Sequence, residues 1–167
     1  MSRAGIALGS NLGDRLATLS AARRQIEVMA GVGHPVLASG VYETEPVGCE
    51  PGAPAFLNAV MEVGYGGDAH ALLGELRRIE AMLGRPVAHA RNTSRTVDLD
   101  LLYFGDLILA SDELEVPHPR MHERRFVLEP LSEIRPEAIL PPHSKTIADL
   151  LAELPSTPPL LRIASEW

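Results

Sequence analysis

A single cysteine, Cys49, stands in 167 residues, which excludes an internal disulfide and a zinc site built from thiolates. Aromatic residues are scarce at 4%, so each Phe or Tyr beside a polar loop becomes a candidate contact for a flat ligand. No apolar run approaches the ~18 residues of a membrane-spanning helix. The first apolar stretch, broken by Gly5 and ended by Gly9-Ser10, is too short for the core of a secretory leader. Cationic residues are also few: Lys and Arg total 15 against 22 acids, a formal net charge of -7. That balance argues against a general nucleic-acid binder, which needs a broad basic face. The phosphate loop G-x-x-x-x-G-K-[ST] is missing, so any polyphosphate must be held by other means. Lacking thiol pairs, a leader and a span, the chain is expected in the cytoplasm, and Asn92-Thr93-Ser94 reads as a chance glycosylation sequon.

What is present suits one compact unit. Hydrophobic residues make up 46% and charged residues 22%, a globular balance. Ala4 to Leu8 predicts a buried strand. Asp14 is placed to cap a helix carrying Leu16, Leu19, Ile26 and Met29, with Gly31 and Gly33 ending it. Val36 to Thr44 predicts a second strand and Phe56 to Tyr65 a third, whose alternation puts Phe56, Asn58 and Val60 on one face. Asp68 caps a second helix with Leu72, Leu76 and Ile79 on its buried side, ending at Gly84. A strand over Thr96 to Phe104 turns at Gly105-Asp106 into Leu107 to Leu109, and a short strand follows near Leu114 to Val116. Helices are expected over Arg125 to Glu133 and Ile147 to Leu154, and an extended appendage after Pro155. The order predicts an α+β fold, a ferredoxin-like sandwich with a mainly antiparallel sheet covered by helices. Residues 1–154 form the expected domain and 155–167 a C-terminal tail.

The strongest chemical signal is Asp98-Leu99-Asp100. On a strand, residues two apart share a face, so both carboxylates project together. Paired acids resist joint ionisation unless a cation neutralises them, and a hard oxygen-seeking ion such as Mg²⁺ suits them. Alone, the same pattern more often describes a strand whose polar face merely meets water. Arg85, Arg91 and Arg95 lie in the loop that feeds this strand, and arginine forks bind phosphate oxygens. Together the two features describe a polyphosphate site without a phosphate loop. His118 and Arg124 add a second basic cluster, which could be a plain surface turn. Phe56 and Phe126 could sandwich a flat heterocycle or simply fill the core, while the Asn58 amide could read a donor-acceptor edge.

In combination these motifs resemble the 6-hydroxymethyl-7,8-dihydropterin pyrophosphokinase family. The resemblance runs from Ala4 to Leu154, through Leu8-Gly9-Ser10-Asn11, Phe56-Leu57-Asn58-Ala59, Arg95-Thr96-Val97-Asp98-Leu99-Asp100, Pro117-His118-Pro119-Arg120-Met121 and Arg124-Arg125-Phe126-Val127. It implies transfer of pyrophosphate from ATP to a pterin hydroxymethyl group, with release of AMP. By the same resemblance, Asp98 and Asp100 hold two Mg²⁺ ions, and Arg85 and Arg95 act with them on the phosphates. Glu80, Arg91, Leu101, His118 and Arg124 fall at nucleotide-binding positions, and Thr44, Val47, Phe56, Asn58 and Phe126 at pterin-binding positions. The chain departs from the pattern at Asn92-Thr93-Ser94, where many relatives carry Trp-Gly-Pro. The expected partners are the two small substrates, with neither nucleic acid nor membrane, and the chain is expected to act as a monomer. Two rivals share the motifs: a pterin- or nucleotide-binding module without turnover, and a phosphotransferase that releases ADP or pyrophosphate.

Overall fold

The computed structural model describes residues 1–44, 55–84, 97–157 and 159–167. A six-stranded sheet runs through the molecule in the order β5-β1-β4-β3-β8, with β2 also paired to β4. Its strands are β1 (Ser2–Ser10), β2 (Val32–Ala38), β3 (Val41–Thr44), β4 (Phe56–Tyr65), β5 (Asp98–Phe104) and β8 (Leu161–Ala164). The pairings are antiparallel. Two further strands, β6 (Leu109–Ala110) and β7 (Glu115–Val116), form a separate ribbon.

Helices cover both faces. On one, α1 (Arg15–Glu27) and α2 (Ala69–Gly84) bury Leu19, Ile26, Leu72, Leu76 and Ile79 against Leu99 and Leu101 of the sheet. On the other, α3 (Arg125–Ile134) and α4 (Ile147–Ala152) bury Leu128, Leu131 and Ile147 against Val60, Leu102 and Tyr103. Local sequence sets where the first two helices start. The Asp14 carboxylate accepts from the Ala17 amide at 3.1 Å, and that of Asp68 from the Ala71 amide at 2.7 Å. A register shift opposite Gly5 and Ile6 adds one residue to β5, so Leu102 and Tyr103 both turn to the α3 side. Tyr103 then lies across Gly5, where a Cβ would stand 2.3 Å from its ring.

Four local expectations are corrected. Helix α1 ends at Glu27; Gly31 (φ 89°) makes the turn, and Gly33 already belongs to β2. The strand expected over Val36 to Thr44 is broken at Ser39-Gly40. There the Ser39 hydroxyl accepts from the Val60 amide at 2.9 Å, standing in for a missing strand partner. Leu109 pairs with Val116 rather than folding back on β5, whose Leu102 carbonyl already accepts the His118 amide at 2.7 Å. The segment after Pro155 is no loose appendage: it returns as β8 and pairs with β3.

Candidate active site

Strand register gathers the polar residues. On β1, Gly9 pairs with Asn58 of β4 on one side and with Asp98 of β5 on the other. Asn58 and Asp98 are therefore two strand spacings apart, about 10 Å. Asp100 follows on the same face, opposite Ala7. The small residues at 7 and 9 leave the space above the middle strand open, and a Cβ on Gly9 would make an ordinary contact, 3.5 Å, with the Asn58 carbonyl oxygen. Above this row lies a cavity of about 600 Å³, within the range that takes small ligands. Thr44, Phe56, Asn58 and Phe126 line it together with Asp98, Asp100, His118 and Arg124.

One half of the cavity suits a flat heterocycle. Asn58 is buried, and its amide nitrogen donates to the Thr44 hydroxyl at 3.1 Å. That bond fixes the orientation of the amide and leaves its carbonyl oxygen as an acceptor. Phe126, 37% exposed, is an unusual aromatic to leave open in a chain so poor in them. The Arg124 guanidinium sits 5.7 Å from the centre of its ring.

The other half suits phosphate and a cation. Leu99, between the two aspartates, lies on the outer edge strand, where its amide and carbonyl have no strand partner among the described residues. Helix α2 supplies both partners: Glu80 accepts from the Leu99 amide at 2.8 Å, and Arg77 donates to the Leu99 carbonyl at 3.3 Å. Arg77 and Glu80 also pair with each other at 2.7 Å, so the backbone between the aspartates is clamped from outside. Among the described residues no group of three or more His, Cys, Asp or Glu could hold a metal. A pair of carboxylates fits magnesium, which takes one or two of them and fills its other positions with water and phosphate oxygens. Burial, together with the Arg124 and Arg120 charges, lowers the His118 pKa despite the opposing pull of Asp100 and Glu115. Its Nδ1 accepts from the Arg120 amide at 3.2 Å, which leaves Nε2 to donate from a neutral ring.

Not every expected site residue stands in the lining. Leu101 is buried in the α1–α2 core, because it alternates with Asp100 on β5. Glu80 is buried behind β5, at its clamp. Val47, Arg85, Arg91 and Arg95 lie outside the described residues. Conversely, Glu123, Arg125, Pro155, Thr157, Pro159 and Leu160 line the cavity without having been singled out. Nothing in the local sequence marks the last four, since long-range pairing of β8 brings them there.

Known proteins resemble most of the chain. A model of the family described as 7,8-dihydro-6-hydroxymethylpterin-pyrophosphokinase (HPPK) matches residues 5–136. The Haemophilus influenzae 2-amino-4-hydroxy-6-hydroxymethyldihydropteridine pyrophosphokinase is 39% identical over 148 residues, which cover 89% of this chain and 90% of the relative. The Bacillus subtilis protein of the same name is 44% identical over 129 residues, 77% of this chain and 75% of that one. In fold, the Plasmodium falciparum HPPK-DHPS crystallised with pteroate superimposes with a TM-score of 0.72 at 15% identity. It covers 91% of this chain, which spans 44% of that longer one. With a family model matched along most of its length and relatives similar nearly end to end, the chain belongs to the 7,8-dihydro-6-hydroxymethylpterin-pyrophosphokinase family.

Proposed function

We propose that this chain transfers the terminal pyrophosphoryl group of ATP to the hydroxymethyl group of 6-hydroxymethyl-7,8-dihydropterin, in folate biosynthesis, and releases AMP. One observation carries the reading beyond family membership. The register through Gly9 sets a heterocycle-shaped half and a carboxylate half side by side in one cavity, about 10 Å apart. A substrate whose flat ring carries a short arm ending in hydroxyl can span that separation.

In this reading Phe56 and Phe126 stack on the pterin, while Thr44 and Asn58 hold its edge and Val47 adds a contact. The hydroxymethyl oxygen attacks the β-phosphorus and gives up its proton to solvent, while the bond from that phosphorus to the oxygen of the α-phosphate breaks and its electron pair leaves with AMP. Asp98 and Asp100 would hold Mg²⁺, two ions in this proposal, whose charge would offset that of the phosphate oxygens. Neutral His118 and Arg124 donate to the nucleotide, and Arg85, Arg91 and Arg95 take the phosphates. Glu80 serves the nucleotide half by holding the Leu99 backbone, and Leu101 by filling the core beneath the aspartates. Holding both substrates in line, with charge stabilised where it develops, supplies most of the rate. The reading further takes residues 1–154 as the pyrophosphokinase domain and 155–167 as a C-terminal tail that docks on it through β8. It describes a monomer working in the cytoplasm.

The test is nucleotide analysis by chromatography after incubation with Mg²⁺, ATP and the pterin. AMP formed in step with a pyrophosphorylated pterin, and only when pterin is present, is the expected result. ADP would replace the proposal with another phosphotransfer, and binding without any nucleotide product would leave a binding module.

A further inference from the structure

The family model reaches residue 136, yet part of the cavity wall comes from beyond it. Pro155, Thr157, Pro159 and Leu160 all line the cavity. This stretch is tied down at both ends. At the first, Arg125 donates to the Pro155 carbonyl at 3.2 Å while pairing with Glu129 at 2.8 Å, one turn along α3. Arg125 is the neighbour of Phe126. At the second, Leu161 pairs with Glu43, the neighbour of Thr44, and Arg162 reaches Glu133 at 2.9 Å. Beyond that, the Trp167 indole donates to the Ser39 carbonyl at 2.7 Å, and the Arg23 guanidinium lies 4.9 Å from its ring centre.

The ties therefore join the start of α3 to the end of β3, the two elements that carry Phe126 and Thr44. On the sheet, the β8 tie is far from the carboxylates. Strand β8 is four spacings from β5 in the sheet, about 19 Å. The wall also offers phosphate little: two prolines, without amide donors, and the half-buried aliphatic side chain of Leu160, with Thr157 contributing its only side-chain hydroxyl. Such a surface suits the face of a flat ring, leaving its polar edge to Asn58 and Thr44.

We propose that Pro155, Thr157, Pro159 and Leu160 form the outer wall of the heterocycle half of the cavity and set the affinity for the pterin. This inference rests on the reaction proposed above and adds a specificity element to it. Leu160 meets the substrate, and Arg125 is a positioning residue that acts through Pro155. Such contacts bind ground state and transition state alike, so their loss raises KM and spares kcat.

The experiment compares the full-length chain with Leu160→Asp and Arg125→Met by steady-state kinetics, varying pterin and ATP in turn. Emission from Trp167, the sole tryptophan, monitors whether the tail remains docked. Losing an apolar contact of this kind costs roughly tenfold in pterin KM, with kcat and the KM for ATP within about twofold. Should Leu160→Asp fail to fold, Leu160→Ala makes the same comparison at smaller amplitude. A wild-type chain with full turnover, whose variants keep an unchanged pterin KM or shift both KM values alike, overturns the wall alone. A wild-type chain that makes no AMP overturns the reaction itself.

Discussion

Leu99 shows how a residue without functional atoms in its side chain can govern a site. Its amide and carbonyl are the backbone between Asp98 and Asp100, and both are held by a single ion pair on α2. The aspartates and Glu80 are all acids, but they stand on opposite sides of the same problem. Asp98 and Asp100 line the cavity, while Glu80 is buried and stabilises the strand edge. Their substitutions should separate accordingly. Asp98→Asn and Asp100→Asn are expected to cut turnover by about a hundredfold or more, the scale of losing one charge-stabilising group in an active site. Circular dichroism and melting temperature should stay near wild type. Glu80→Ala is expected to lower stability by about 1–3 kcal/mol, because it orphans a buried amide, with Glu80→Gln recovering part of the loss. Denaturant titration reads these values. Unfolded aspartate variants, or a Glu80→Ala chain as stable as wild type, would reverse the two assignments.

Elements differ in how they are held, and Ser39-Gly40 is the joint where the difference shows. Glu133 of α3 accepts from the Gly40 amide at 3.1 Å, from the Tyr42 hydroxyl at 2.6 Å and from Arg162 at 2.9 Å, so one carboxylate joins α3, β3 and β8. Burial pushes its pKa up, but the hydrogen bonds from Tyr42, Arg162 and Gly40 outweigh that, and it falls below the ordinary 4.5. A carboxylate with a depressed folded pKa stabilises the fold above its unfolded value, and the contribution is lost as pH falls through the folded one. Stability of the wild-type chain should therefore drop as pH falls below about 4.5. Glu133→Gln should be less stable at pH 7 and should narrow that drop, as followed by melting temperature against pH. Parallel pH profiles for the two proteins would show that Glu133 is not linked to folding. The same joint explains what the sequence could tell. Helix starts at Asp14 and Asp68 and the strand Phe56–Tyr65 are written locally, in caps and alternation, and they were legible. The break at Ser39, the β6–β7 ribbon and strand β8 depend on partners far along the chain, at Val60, Val116 and Glu43. In the site, alternation put Asp98 with Asp100 and Phe56 with Asn58, whereas the contribution of Pro155 and Leu160 had no local signature.

At the scale of the whole molecule, an acidic protein must bind a polyanion. With a net charge of -7, the average field opposes ATP, and the paired carboxylates oppose it most within the cavity. The arrangement makes sense if a divalent cation arrives with the nucleotide and converts the acidic half of the cavity from a repulsive to an attractive surface. Binding to the folded state alone then stabilises it by mass action, about 2.7 kcal/mol at a ligand concentration a hundred times Kd. For a chain of this length each kcal/mol moves Tm by about 2–4 °C, so Mg²⁺ with ATP should raise Tm by roughly 5–10 °C. ATP with a chelator should give little or no shift, and Asp98→Asn should lose most of the magnesium-dependent part. Differential scanning fluorimetry over these combinations checks the idea directly. An equal shift with the chelator present would mean that ATP is held without a cation at Asp98 and Asp100. The arginines at 85, 91, 95 and 124 would then have to overcome the molecule's charge without a cation.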